Sequence, residues 1–518
     1  MLSRRESGQI MGVVAVALVA TVAIVALAFD IGFLYSTRRR MQTAADAAAV
    51  AGANALQGSN SANYSTAATD VASFNGYTNG SNSVTVTVPA VTTCPGASTQ
   101  RCVQVTIQQA VPTSFLGVIG YSTVNVSVTA IAGSLNGPAC IYALDPSASK
   151  AISLVGNVNI NVSCGLIDDS DSSSALYADG NITVTSTATG VAGQVSQAGN
   201  ISFTPPVIPN IAPAPDPLGS LAPPTVGTCT QAATTAGSAL TIGGVNNTPI
   251  NVPPGVYPVS GSTGYGINLS GNFSSAVNFA PGTPGSSVTY GNGIYITGNV
   301  SGPNAAVNFQ PGQYQNGGGS GNSIFINGNT KIANFASGSY TFCGGVTLTG
   351  NSTVTFQPGL YYGGIAITGN ANVTFSPGTY ILAGGGLQVT GNATITGSGV
   401  TFYNTTGLGG YGAIRITGNA QLNLSAPTSG SLEGILFFQD RSIPTGSAGS
   451  VIVGNSSSTF DGALYFPTTS LQYVGNSSGN GYTLIVADTV SFTGNASLGD
   501  NYSSLTNGDP IVSNALYQ

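Results

Sequence analysis

Three aspartates late in the chain, Asp440, Asp461 and Asp488, stand 21 and 27 residues apart, each closing a short apolar run ("LFFQD", "TFD", "LIVAD"). If the backbone repeats about every twenty residues, they stack on one face with Arg441 beside the first. Carboxylates held a few ångströms apart are what glycosidic-bond cleavage requires. The opposing reading is local: an Asp after a strand accepts backbone N–H groups and caps a turn. The rest of the sequence favours that second reading. Past residue 215 the acids are Asp216, Glu433, Asp440, Asp461, Asp488, Asp500 and Asp509, and the chain has no His. The usual general base and every triad built on it are therefore missing. "LAGGGLQ" lacks the Lys-Ser/Thr of a phosphate loop. We expect no catalytic, cofactor-binding or metal-ligating residues, no cofactor and no enzymatic activity.

Six Cys without a Cys-x-x-Cys argue for disulfides rather than zinc or haem. Cys94 and Cys102 bracket a short loop and Cys140 and Cys164 a strand pair, which leaves Cys229 and Cys343. These pairings are local expectations, since spacing alone leaves the others open.

The elements that would hold these residues begin with a membrane segment. Ile10–Phe29 is 20 residues without a charge, ~30 Å of helix and the thickness of a bilayer core. Arg4 and Arg5 precede it, and Arg38, Arg39 and Arg40 come after it. A cleaved signal would be shorter and would end in a small-x-small site. Here the chain continues with Asp30 and "IGFLYSTRRR" instead, so we expect a retained anchor. Only 5% of residues are charged, the Cys count is even and the composition is rich in Ser, Thr, Asn and Gly, which puts the bulk outside the cytoplasm. A net charge of −6, with only Arg101, Lys150, Lys331, Arg415 and Arg441 basic beyond Arg40, argues against nucleic acid as a partner.

"MQTAADAAAVAGANAL" (41–56) continues the helix with strong helix formers, and Gly58 is a natural stop. Ala44, Ala48, Gly52 and Ala55 form a small-residue face, open either to another helix or to the domain beyond it. Residues 59–135 read as a small α+β unit. "STAATDVASFNGY" suits a helix, and "SVTVTV", "CVQVTI" and "TVNVSVTAIA" alternate as half-buried strands. A long helix feeding a small sheet has the layout of pilins, although Val13 stands where prepilins usually carry Glu.

Beyond residue 136 the chain repeats. Gly-Asn recurs at Gly156, Gly180, Gly199, Gly271, Gly298, Gly328, Gly350, Gly369, Gly391, Gly418, Gly454, Gly475 and Gly494, mostly near twenty residues apart from 328 onward. Pro-Gly-x-Tyr recurs at 254–257, 311–314, 358–361 and 377–380, with "SGSY" at 337–340 in its place. Short alternating apolar runs lie between. This pattern predicts a right-handed parallel β-helix in which Gly-Asn is a corner. Gly accepts positive φ there, and Asn amides stack from coil to coil. The Pro-dense "FTPPVIPNIAPAPDPLGSLAPPTVGTC" (203–229) interrupts the repeats as a wrapping segment or linker.

The N-terminus also carries a family resemblance. Gly8, Gln9, Asp30, Gly32, Gln42, Ala45, Asp46 and Ala47 match a pattern of basic-Gly-Gln, apolar helix, Asp-x-Gly, basic cluster and Gln-x-x-Ala-Asp-Ala-Ala-Ala. On these residues the chain resembles the Tad-type pilus-assembly family (TadG-like). The stretch 102–132 resembles the segment after that helix in the family, and "ACIYALDPSASKAISLVGNVNINVSCG", "FFQDR" and "GALYFP" resemble the repeat-rich C-terminal part. The resemblance implies an inner-membrane envelope protein tied to pilus biogenesis. Some such proteins hold a metal on an Asp-x-Ser-x-Ser of a von Willebrand A-like domain. Asp168, Ser170 and Ser172 fit that spacing, but no strand–helix alternation comes after them, and a solvated polar loop is the reading we favour.

The expected division is a cytoplasmic N-terminus (1–9), a transmembrane helix (10–29), its extension (30–58), a small α+β domain (59–135), a first β-repeat region (136–202), a Pro-rich linker (203–229) and a β-helix domain (230–518). The expected role is structural, with the membrane, pilus-assembly or envelope proteins and surface glycans as partners. The chain would be single-pass in the inner membrane with its bulk periplasmic or at the cell surface. The alternative is a membrane-anchored polysaccharide lyase or hydrolase of β-helix fold.

Overall fold

The structure, a computed structural model, describes residues 7–57, 63–93, 101–133, 139–211, 213–229, 238–260, 263–279, 288–301, 305–316, 321–329, 333–407, 409–454, 458–475, 477–478, 482–498, 501–506 and 515–517. The chain forms two units, Met1–Asn136 with Val512–Gln518, and Gly137–Ile511.

In the first unit one helix, α1, runs unbroken over Ser7–Gln57. No Pro interrupts it, so the apolar span and the Ala-rich stretch propagate as one element. Among the described residues it is the one helix long and apolar enough to cross a membrane. Its first half is apolar all round and packs on little else. Val13, Val16, Val19, Ile24 and Phe29 are each more than 60% exposed. Its second half buries Met41, Ala44, Ala45, Ala48, Ala49 and Ala53 against α2 (Tyr64–Phe74) and a small sheet. Small side chains let the backbones close up. A Cβ on Gly52 would lie 2.8 Å from Val103 Cγ1 and 3.2 Å from Ala68 Cβ. The small-residue face is therefore used by the chain's own domain.

The sheet is antiparallel: β1 (Val84–Thr87), β2 (Arg101–Pro112) and β3 (Thr123–Gly133) pair in that order, with Val84 opposite Gln109 and Ile107 opposite Val128. Ala515–Tyr517 adds a further strand beside β3, with Tyr517 opposite Ile131. This departs from the expected boundary, which put these residues in the β-helix. A three-residue strand has no local signature, and only a long-range pairing reveals it.

The second unit is a parallel β-helix. A typical coil has three strands, Ile365–Gly369, Asn372–Phe375 and Gly378–Ala383, each hydrogen-bonded to its counterparts in the coils on either side. We call the three resulting ladders the first, second and third faces. Inward positions repeat: Phe279, Phe309, Phe335, Phe356 and Phe375 stack with ring centroids 4.6–5.6 Å apart. The Pro-Gly-x-Tyr turns aim Tyr314, Tyr361 and Tyr380 into the same interior, as "SGSY" does Tyr340. Each of these hydroxyls donates to the carbonyl four residues back, at 2.6–2.9 Å. A buried tyrosine needs such a partner, so the motif is a turn closed by its own side chain. The Gly-Asn corners stack as expected. Gly350, Gly369 and Gly391 lie in register with φ of 102°, 106° and 111°, and Asn392 Nδ2 donates to Asn370 Oδ1 at 3.2 Å.

The coils do not stack in chain order. The coils of 139–204 continue from the last coil, with Ile152 beside Val490, Ile141 beside Ile485 and Asn159 beside Asn495. Val195–Thr204 ends the first face on one side and Leu240–Ile242 ends it on the other. The regions 136–202 and 230 onward, separate in the expected division, therefore belong to one solenoid.

Candidate functional site

Asp440 and Asp488 come directly after the third-face strands Ile435–Gln439 and Thr483–Ala487. The coil between them is Thr459–Phe466, with Tyr465 beside Phe438 and Phe466 beside Ala487. Continued one residue, that register sets Pro467 between the two aspartates. They are thus two coil steps apart, ~10 Å along the axis, and Pro467 occupies the position between them. Asp461 is not with them: it lies on the second face, paired with Ser425. The stacked triplet expected from spacing does not form, because the longer segment after Asp440 and the within-strand position of Asp461 put them out of phase.

The local chemistry of each is that of a turn. Asp440 accepts from the Thr405 hydroxyl at 2.6 Å and from Ser442 N–H at 2.8 Å. Burial alone would raise its pKa, but hydrogen bonds from Thr405, Ser442 and Tyr403 hold it below the ordinary value. Burial and the neighbouring Asp145 push Asp488 up. Arg441 does not face a carboxylate pair. Its Nε donates to Tyr465 Oη at 2.7 Å, and its two terminal nitrogens donate to the Leu221 carbonyl at 2.8 Å and the Leu218 carbonyl. Tyr465 in turn donates to Asp216 at 2.5 Å. Arg441 thus clasps the Pro-rich segment to the solenoid.

That segment is a strap. Ala214 N–H reaches Asp169 at 2.7 Å, Leu218 and Leu221 reach Arg441, Gly227 lies by Leu360, and Cys229 is disulfide-bonded to Cys343. Its contacts step from coil to coil back along the solenoid, which is how the chain passes from the coil ending at Thr204 to the one starting at Leu240. Proline density announced irregular backbone; nothing local announced the path. The Cys140–Cys164 bridge forms as expected, and Cys102 is disulfide-bonded, while Cys94 lies outside the described residues.

Asp168 and Ser170 do not lie in a solvated loop, which corrects our expectation for them; Ser172 is half-buried, between exposed Asp171 and Ser173. Asp168 and Ser170 are fully buried, because the turn after Gly165–Asp168 is stacked between its neighbours and covered by the strap. Asp168 accepts from Ser170 N–H at 3.1 Å and Ile152 N–H at 3.3 Å, and Ser170 Oγ donates to the Ala148 carbonyl at 2.7 Å. Burial pushes Asp168 and Asp169 up to about 6, against opposing backbone hydrogen bonds. No group of three His, Cys, Asp or Glu among the described residues is placed to hold a metal.

At the other end of the chain the N-terminal motif residues have structural jobs. Gly8 and Gln9 lie in the first turn of α1. Asp30, 3% exposed, accepts from the N–H groups of Ser114, Phe115 and Leu116 at 3.1, 2.8 and 2.7 Å. Gln42 donates to Asp46 one turn on at 2.8 Å and to the Thr129 carbonyl at 3.2 Å. These contacts tie α1 to the tip and to the middle of the β2–β3 hairpin.

Comparison with known families matches residues 8–55 to "Putative Flp pilus-assembly TadE/G-like" and residues 35–132 to "Putative Tad-like Flp pilus-assembly". Searches of curated proteins and of solved structures found no match.

Proposed function

We propose, from an N-terminal region that is that of a Tad-type pilus-assembly protein, that this membrane-anchored chain is a structural component of a Tad-type pilus or surface-assembly system. It is single-pass in the inner membrane, and its solenoid stands in the periplasm or at the cell surface as a rigid platform for envelope proteins or glycans. The observation that carries this reading is the family match over 8–132, coincident with an apolar helix and the sheet it packs on. Two further observations support it. The disulfides Cys140–Cys164 and Cys229–Cys343 suit an oxidising compartment. On the second face, Asn278, Asn308 and Asn334 each donate to the Asn of the preceding coil, a repeating row of polar groups suited to extended contact. A structural role also accords with Asp440 and Arg441 being engaged within the fold. Deleting the gene in its native host should abolish or shorten surface pili, and protease added outside the inner membrane should digest the solenoid. Normal piliation in the deletion strain, or a solenoid protected in spheroplasts, refutes the proposal.

A further inference from the structure

The tip of the β2–β3 hairpin, residues 113–122 ("TSFLGVIGYS"), carries no charge and turns its apolar side chains outward. Phe115 is 47%, Val118 86%, Ile119 70% and Tyr121 64% exposed. The tip lies against the apolar half of α1. Phe115 packs edge-on against Phe29, with centroids 6.0 Å apart, and both line one apolar hollow with Val22, Val25 and Ala26. Val22 is ~10 Å of helix below Phe29, comparable to the ~5–10 Å depth at which interfacial elements sit. The exposed apolar surface of α1 therefore runs without interruption onto the tip.

A loop that faces lipid must satisfy its own backbone. This one does so closely. Asp30 takes the N–H groups of Ser114, Phe115 and Leu116. Thr113 N–H donates to Ser122, Val118 to Phe115, Gly120 to Gly117 and Tyr121 to Leu116. Exposed Tyr35 and Tyr121 suit the headgroup level, and exposed Arg38, Arg39 and Arg40 lie farther along α1.

We propose that the hairpin tip is a second membrane-inserting element: it enters the phospholipid interface beside α1 and fixes the small sheet to the bilayer. This rests on α1 being the anchor, and it adds a lipid contact that the anchor does not require. The occupant is lipid because the patch is continuous with the surface that lipid covers on α1.

The chain contains no Trp, so single tryptophans report alone. The full chain would be reconstituted in phosphatidylcholine vesicles with and without brominated acyl chains. V118W and I119W probe the tip, V19W the span, and T66W, at exposed Thr66 in the first turn of α2, the aqueous side, since that end of α2 lies beside Gly52, ~35 Å of helix beyond Phe29. Expected is blue-shifted emission from V118W and I119W, quenched by bromolipid at least half as strongly as V19W, with T66W unquenched. Adding D30A to V118W should weaken that quenching, because it frees the tip. The proposal is overturned if both tip variants emit like T66W while V19W is quenched. Blue emission without bromolipid quenching overturns it too, in favour of burial against a second copy. If V19W itself escapes quenching, the anchor reading fails and takes the tip with it, and that control tells the two failures apart.

Discussion

The first unit and the solenoid bury apolar side chains by opposite means. In the first unit a helix face of Ala and Gly lies on a sheet, and residues far apart in sequence, such as Gly52 and Val103, meet in contacts that occur once. In the solenoid the same contact recurs, Phe on Phe and Asn on Asn, each coil bearing mainly on its two neighbours. The first kind of packing concentrates damage in a whole cooperative unit. The second confines it to a few coils. Single substitutions should expose that contrast, and most strongly in the aromatic stack.

Phe356 is fully buried between Phe335 and Phe375. F356A should cost about 3–5 kcal/mol, and proteolysis should open the coils around 335–380 first. Uniform loss of protection along the solenoid would contradict neighbour-limited stability. Gly52 makes the matching test in the first unit. With Val103 Cγ1 at 2.8 Å from where its Cβ would be, G52L should overpack the seam by about 1–3 kcal/mol. Hydrogen exchange should quicken across α2 and β1–β3 together while the solenoid is unchanged. Gly391 combines a φ of 111° with the Gly369 carbonyl oxygen 2.6 Å from a prospective Cβ. G391V should cost about 1–3 kcal/mol, again with cleavage confined to that corner.

A fourth test uses pH. Asp168 and Asp169 titrate near 6 in the folded protein, above the ordinary 3.8. The folded state holds their protons more tightly than the unfolded chain does. Their contribution to stability is therefore full below the ordinary value and is lost as pH rises through about 6. D169N keeps an oxygen to accept from Ala214 N–H and removes the charge. At pH 7 it should leave the solenoid as stable or steadier by about 1–2 kcal/mol, and it should lessen the fall in melting temperature between pH 5 and 7, with Asp168 supplying the slope that is left. A variant destabilised at pH 7 with an unchanged pH profile would mean that the carboxylate is not penalised by burial. The smallest effect is expected at the Asn ladder. Asn392 and Asn370 are exposed, so N392A should cost about 0.5 kcal/mol, and a loss as large as that of G391V would show that the amide, rather than the glycine, holds the corner.

What was legible in the sequence divides along the same line as the packing. The apolar span, its Ala-rich continuation and the recurring Gly-Asn and Pro-Gly-x-Tyr steps are local patterns, and each was readable because its physical cause lies within a few residues. A bilayer requires about twenty apolar residues, and a coil corner requires positive φ. The positions of Asp440, Asp461 and Asp488 looked like one site because spacing was the only guide. Whether two coils are in phase depends on how many residues each turn consumes, and only the ladders report that.

Three further features were decided by tertiary structure alone. Coil interfaces made of the same Val, Ile, Phe and Asn contacts accept one another in any order, so no residue near 140 or 485 signals that those coils are neighbours. The strap's route, pinned by Arg441 and the Cys229–Cys343 bridge, buries a turn at Asp168 that by composition reads as solvated. The pairing of Ala515–Tyr517 with β3 closes a sheet between residues from opposite ends of the chain. In all three, the stabilising partner lies far away in the sequence, and local propensity carries no record of it.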